Sequence, residues 1–223
     1  MIFLQSHGVS SAYASKIFKR YGDRSIAVVK QNPYRLATDI FGIGFLKADS
    51  IAKELGFSND SEVRVEAGIV YTLNQLSQDG HVYFPYEPLV ERCREILGVG
   101  RAPIARAIGS LNAAKQIIIE DINEEIENFQ PNNKAVYLTR FHQCETGISN
   151  RLKALLSTPK STRQVDSDRA IQWVEQQLSF QPAENQKDAI RYALENKVMV
   201  ITGGPGTGKT TIINLIIRFY DPA

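Results

Sequence analysis

Residues 7–22, "HGVSSAYASKIFKRYG", and 41–56, "FGIGFLKADSIAKELG", are two copies of one pattern, and this repeat constrains the chain more than any other feature. Laid over one another without gaps, they share Gly8 with Gly42, Ala14 with Ala48, Ile17 with Ile51, Lys19 with Lys53 and Gly22 with Gly56. Each copy predicts a tight turn, a helix with apolar residues at helical spacing, and a glycine where the helix must stop. "NPYRLATDI", with Pro33 near its opening, supplies the helix ahead of the second turn. Helix, short glycine turn and helix, repeated once, is a tandem helical hairpin.

The second turn is Gly42-Ile43-Gly44. Its glycines let the backbone approach a phosphate, and the helix after it offers unpaired N–H groups and a favourable dipole. This turn resembles that of helix-hairpin-helix DNA-binding elements, in which the apolar residue between the glycines anchors the turn in the core. The resemblance implies DNA contacts at Gly42, Ile43 and Gly44, with Lys47 and Lys53 adding charge and Gly8 as the counterpart in the first copy. Such contacts grip the backbone without reading bases, so binding is expected to be sequence-independent and salt-sensitive. The first copy has Ser10 where the second has Gly44. A glycine turn between helices also serves as plain scaffold, and that reading stays open here.

Charge divides the chain. Residues 1–57 carry eight Lys/Arg against four acids, residues 58–130 six against twelve, and the whole chain is +2. A basic head before an acidic middle implies at least two units with different faces. The start, "MIFLQSHG", lacks the basic and long apolar regions of a signal peptide, and no apolar run approaches the ~18 residues of a membrane span. Two cysteines, Cys93 and Cys144, and three scattered histidines make neither a disulfide framework nor a zinc site. The expected compartment is the reducing cytoplasm, without membrane association.

In the middle, Val65, Ile69, Leu73 and Leu76 fall on one helical face ended by Gly80. "HVYFP" predicts a short strand. Helices come next around Leu89–Leu97 and over "APIARAIGSLNAAK", then "QIIIEDI" and "KAVYLTR" as paired strands around the polar loop "NEEIENFQPNN". Helix, strand, helix, helix and a two-stranded wing is the winged-helix order. The segment is acidic, so it is equally readable as a structural or protein-docking module. "FHQCETGISNRLKALLSTP" predicts another helix and "KSTRQVDSD" an exposed linker, with a boundary near residues 157–168.

"VMVIT", "GGPGTGKT" and "TIINLIIRFY" read as strand, loop and helix around the pattern G-x-x-x-x-G-K-[ST], Gly203 to Thr210. Gly203, Gly204, Gly206 and Gly208, with Pro205 and Thr207 between them, leave the backbone N–H groups free to wrap phosphates. Lys209 is placed to neutralise phosphate oxygens. The Thr210 hydroxyl is a ligand for Mg²⁺ brought with the nucleotide, and Thr211 continues the helix start beside the α-phosphate. Lys209 and Thr210 are the candidate catalytic groups. Gln186 lies seventeen residues before Gly203 in the helix "QPAENQKDAIRYALENK" and is similar to the adenine-sensing glutamine of helicases, since an amide both donates and accepts at the adenine edge.

Together, the hairpins, the winged-helix-like segment, Gln186 and "ITGGPGTGKTT" resemble the long RecD-like DNA helicases of superfamily 1, related to the alpha chain of exodeoxyribonuclease V. The resemblance runs along the whole chain. It implies a mainly α fold with the start of a RecA-like α/β motor lobe, and a boundary scheme of 1–57, 58–157 and 158–223. It further implies ATP and Mg²⁺ as cofactors, and single-stranded or junction DNA as partner with unwinding 5′ to 3′. The acidic Mg²⁺ and water-orienting groups and the second-lobe arginine of such motors do not occur after Thr210, which predicts a fragment inactive by itself. Its final segment is then expected to pack poorly or to self-associate. Two other readings stand beside this one. One is a separable DNA-binding or docking module; the other is an ABC-type ATPase fragment, suggested by the run "RFYDP".

Overall fold

The repeat folds as two helical hairpins. In the computed structural model, which describes residues 2–7, 9–123, 133–158, 166–178 and 181–220, α1 (Ile2–Ser6) precedes α2 (Ser11–Tyr21). A single 3-10 turn leads to α3 (Ser25–Gln31), α4 (Arg35–Asp39) and α5 (Phe45–Glu54). The repeated helices are α2 and α5. Both stop at a glycine with positive φ, 57° at Gly22 and 80° at Gly56, a region most side chains avoid. Gly8 lies outside the described residues.

Ala14 and Ile17 of α2 bury against Ile51 of α5, with Leu36, Ile40 and Ile43 completing this first core. Helix α5 is apolar on a second side as well. Phe45, Ala48 and Ala52 pack into a larger core with Val65 and Ile69. One helix therefore belongs to two cores, so the hairpins are locked onto the next part of the chain rather than strung beside it.

That larger core is built from α6 (Glu62–Gln78), β1 (Tyr83–Pro85), α7 (Tyr86–Leu97), α8 (Arg101–Ala113), β2 (Ile117–Asp121) and β3 (Lys134–Leu138). The sheet order is β1-β3-β2, antiparallel throughout, with Phe84 opposite Val136 and Ile118 opposite Tyr137. Strand β3 is central, and its Ala135, Val136, Tyr137 and Leu138 are all buried. This is the helix–strand–helix–helix–wing order expected from the sequence. Most of the polar loop between β2 and β3 lies outside the described residues. At Gly68, α6 and α7 approach so closely that a β-carbon would sit 2.7 Å from Leu97 Cδ1.

Two charged residues are buried where α5 meets α6. Arg64 Nε donates to Asp49 Oδ1 at 2.7 Å and its Nη2 to Oδ2 at 3.3 Å. Arg64 Nη1 donates to the carbonyls of Asn59 at 2.7 Å and Leu97 at 3.0 Å. Tyr34 Oη and Lys53 Nζ complete the donors around Asp49, at 2.8 and 3.2 Å. A buried ion pair keeps its charges only with such a full set of partners.

Residues 1–145 form one compact unit and residues 146–223 a second. The second contains most of α9 (Thr139–Ser157), then α10 (Ser167–Leu178), α11 (Glu184–Glu195) and α12 (Lys209–Tyr220). Its core is Ala170, Ile171, Ile190, Leu194, Ile212 and Leu215. Lys197 Nζ donates to the Leu155 carbonyl at 3.0 Å, covering the C-terminal end of α9. The greater part of the linker "KSTRQVDSD" lies outside the described residues.

The run "VMVIT" departs from its expected conformation. Val198–Thr202 is not part of a sheet, and every strand among the described residues lies in the first unit. An apolar run becomes a strand only when neighbours take up its N–H and C=O groups, and this unit supplies none among the described residues. Val200 is accordingly 80% exposed, and Ile213 and Ile217 are about half exposed. No helix among the described residues is long and apolar enough to cross a membrane.

Candidate functional site

The loop before α12 takes its shape from its glycines. Gly206 and Gly208 have φ of 76° and 81°, and Gly203 has φ of 155°. A β-carbon on Gly203 would lie 2.9 Å from Thr207 Oγ1, and one on Gly208 would lie 2.6 Å from Gln186 Nε2. Thr207 Oγ1 donates to the Gly204 carbonyl at 2.9 Å, closing the loop on itself. Lys209, the first residue of α12, curls back so that its Nζ donates to the carbonyls of Gly203 and Gly204 at 2.6 and 2.5 Å.

Gln186 reaches the same loop from α11. Its Nε2 donates to the Thr207 carbonyl at 3.2 Å, while its Oε1 accepts from the Ala183 N–H at 3.0 Å. One amide thus fixes the start of α11 and joins it to the glycine loop, using its donor and its acceptor at once. Thr210 and Thr211 are exposed on the first turn of α12, where N–H groups have no intrahelical acceptor. Pro205, Gly204 and Gly206 are exposed at the tip. A cleft of about 710 Å³ opens beside the loop, lined by Gln186, Thr207, Lys209, Tyr192 and Val200 among others. Ammonium, hydroxyls, helix N–H groups and a glycine backbone form a donor set suited to a polyanion. Tyr192 was not apparent from the sequence, because a tyrosine in an amphipathic helix reads as core; here it is 58% exposed in the cleft.

The two hairpin turns differ in how their helices begin. Ser10 caps α2, its side chain accepting from the Tyr13 N–H, whereas Gly44 caps α5 with no side-chain bond. Ile43 is buried, 2% exposed, and holds the turn down, while Gly42, with φ of 89°, and Gly44 are exposed. Lys47 lies one turn along, its Nζ 5.9 Å from the Tyr13 ring centre. Lys53 is at the other end of α5, about 12 Å from the helix start at 1.5 Å per residue, and is paired with Asp49. The structure therefore brings Gly42, Ile43, Gly44 and Lys47 together and leaves Lys53 apart from them.

Lys16 joins this group from the first hairpin. Its Nζ donates to the Phe41 carbonyl at 3.2 Å and lies 3.4 Å from where a Gly42 β-carbon would be. Repeat alignment conceals it, because the equivalent position in the second copy is Ser50.

Two segments of the chain match known families. Residues 1–83 match the family described as ATP-dependent RecD2 DNA helicase HHH domain, and residues 186–222 match an AAA domain. The front of the chain thus resembles that of RecD2 helicases. Along 93% of its length it is 26% identical to the ATP-dependent RecD2 DNA helicase of Deinococcus radiodurans, covering 29% of that protein. Along 63% it is 28% identical to the RecBCD enzyme subunit RecD of Buchnera aphidicola subsp. Schizaphis graminum, covering 24% of it. The chain thus spans less than a third of the length of either RecD-type relative. The AAA match over residues 186–222 starts at Gln186 itself, so it includes both the amide and the glycine loop.

Proposed function

We propose that this chain is the DNA-gripping front and the nucleotide clamp of an ATP-dependent DNA helicase that travels 5′ to 3′ along one strand. The observation that carries the reading is the convergence of Lys209, Gln186 and the start of α12 on one glycine loop. We divide it into hairpins at 1–57, a winged-helix-like part at 58–157 and the start of a motor lobe at 158–223.

ATP with its Mg²⁺ supplies the phosphoryl chemistry that drives such a motor. The chain's own groups bind and orient it. Backbone N–H groups of the loop from Gly203 to Gly208, Pro205 excepted, would hold the phosphates, and Lys209 Nζ, now on the loop carbonyls, would neutralise their charge. Thr210 Oγ1 would be the chain's ligand to the metal, and Thr211 would help hold the phosphates. Gln186, whose amide now donates to the Thr207 carbonyl, would be the group that holds the adenine edge. At the other end of the chain, Gly42 and Gly44 admit a DNA phosphate to the start of α5, Ile43 holds the turn, and Lys47 adds charge.

The protein acts in the cytoplasm, and the exposed apolar residues Val200, Ile213 and Ile217 form its surface for further motor strands or a second copy. The test is made on the full-length protein that carries this chain. Lys209→Ala is expected to abolish DNA-stimulated ATP hydrolysis while leaving the circular dichroism spectrum and DNA affinity intact. Normal hydrolysis in that variant would end the proposal.

A further inference from the structure

Phe41, at the apex of the second hairpin, is 97% exposed, and Leu46, on the other side of the turn, is 67% exposed. A turn that only grips phosphate has no use for either side chain. Glycines, a helix start and a cation suffice for that task, and a bare phenylalanine in water is unfavourable.

The charges around this tip are also distinctive. Lys16 and Lys47 approach it from different hairpins, both Nζ atoms 5.9 Å from the Tyr13 ring centre. Neither makes an ion pair among the described residues. Nearby carboxylates are engaged elsewhere: Asp39 with Tyr21, Thr38 and Arg35, and Asp49 with Arg64, Tyr34 and Lys53. The tip therefore combines an unpartnered aromatic face, an aliphatic neighbour and two uncompensated cations.

Resting on the reading that this hairpin binds DNA, the geometry points to Phe41 as a stacking platform for an unpaired base. Lys16 and Lys47 hold the phosphates on either side of that base, and Leu46 covers its edge. Stacking on an aromatic is insensitive to base identity, and alternating cations follow the backbone. A base inside a duplex is already stacked on both faces, so Phe41 gains contact there only by forcing bases apart. The partner selected is a single strand, or the first unpaired nucleotide of a junction, over an intact duplex.

The experiment uses the 223-residue chain with three DNAs: a single strand carrying one 2-aminopurine, a fork with the same base at the junction, and a blunt duplex. Affinities are followed by anisotropy across a salt series, and base stacking by 2-aminopurine quenching. Phe41→Ala is expected to weaken single-strand and fork binding by about five-fold or more, to abolish the quenching and to leave duplex binding unchanged. Phe41→Trp keeps single-strand binding, fork binding and the quenching. Lys16→Gln and Lys47→Gln each lower affinity for every DNA and reduce the salt slope by about one.

Other outcomes separate the ideas. If Phe41→Ala is neutral while the lysine variants lose binding, the stacking role is overturned and the phosphate grip stands. An equal loss on all three DNAs overturns the selection for unpaired bases. If the lysine variants, Gly42→Val and Gly44→Val all bind DNA normally, the hairpin is scaffold, and the underlying reading fails with it. A Phe41→Ala effect on oligomeric state alone makes a second copy the occupant and overturns the proposal.

Discussion

Replacing Asp49 by alanine leaves the Arg64 guanidinium in the core of the first unit without its counter-charge. The side chains are 9% and 6% exposed, so water cannot stand in for the lost carboxylate. Removing one partner of a buried pair costs about 3–5 kcal/mol. The Tyr34 hydroxyl also loses its acceptor, while Arg64 keeps the Asn59 and Leu97 carbonyls, which places the expected loss near the lower figure, about 3 kcal/mol. At about 2–4 °C per kcal/mol for a unit of this size, the melting midpoint falls by about 6–12 °C. The two units have separate reporters. Trp173, the chain's single tryptophan, belongs to the second unit, and all but Tyr192 and Tyr220 of the tyrosines belong to the first. Near-ultraviolet tyrosine dichroism should shift and Trp173 fluorescence should not.

The pH dependence has a definite sign. Burial pushes the Asp49 carboxyl up, but the donors Arg64, Tyr34 and Lys53 outweigh it and hold it below the ordinary range. Its stabilisation is fully present above the unfolded value of about 3.9 and is lost as pH falls through the folded one. The stability gap between wild type and Asp49→Asn is therefore constant near neutrality and closes in acid. A double change, Asp49→Leu with Arg64→Met, recovers most of the loss because no charge remains to be buried. A first unit that loses under about 1 kcal/mol in Asp49→Ala would refute the reasoning, since the pair would then be as hydrated as a surface one.

Two further changes test close approaches. Gly208→Ala places a β-carbon 2.6 Å from Gln186 Nε2 at a φ of 81°, so the second unit should lose about 1–2 kcal/mol, read as a lower Trp173 midpoint with the tyrosine signal unmoved. An unaltered midpoint would mean that the Gln186–Thr207 link contributes nothing to loop geometry. Gly68→Val drives a branched side chain into Leu97 and should destabilise the first unit by about 1–3 kcal/mol, measured by denaturant titration of the tyrosine signal. An unchanged midpoint would show that α6 and α7 can separate freely there.

Helices and their ends were legible in the sequence because glycine marks them. Gly22 and Gly56 end α2 and α5, and the alternation of periods from helix to strand yielded the winged-helix order. What escaped was every feature that depends on partners distant in the chain. Asp49 and Arg64 each look like members of solvated helix faces, and only packing of α5 on α6 shows them buried together. Lys16 is invisible for the same reason, since its target, the Phe41 carbonyl, lies 25 residues away. Lys53 is a different case, since its partner Asp49 stands only four residues before it, a helical spacing the sequence itself displays. "VMVIT" has the composition of a buried strand, yet strand formation is a property of neighbours and not of the run itself. The glycine loop was the opposite case: its conformation is set locally, and motif and geometry coincide at Gly203, Gly206 and Gly208.

The unlike caps of α2 and α5 leave the two helix starts in different states of completion. Ser10 takes up one N–H at the start of α2 from within the chain, and Ala14 and Ile17 anchor that helix in the first core. Gly44 leaves the start of α5 dependent on water or a ligand for its amides. Of two helices that start alike in sequence, one is closed by its own serine, and the other keeps a helix end open to solvent beside Lys16 and Lys47.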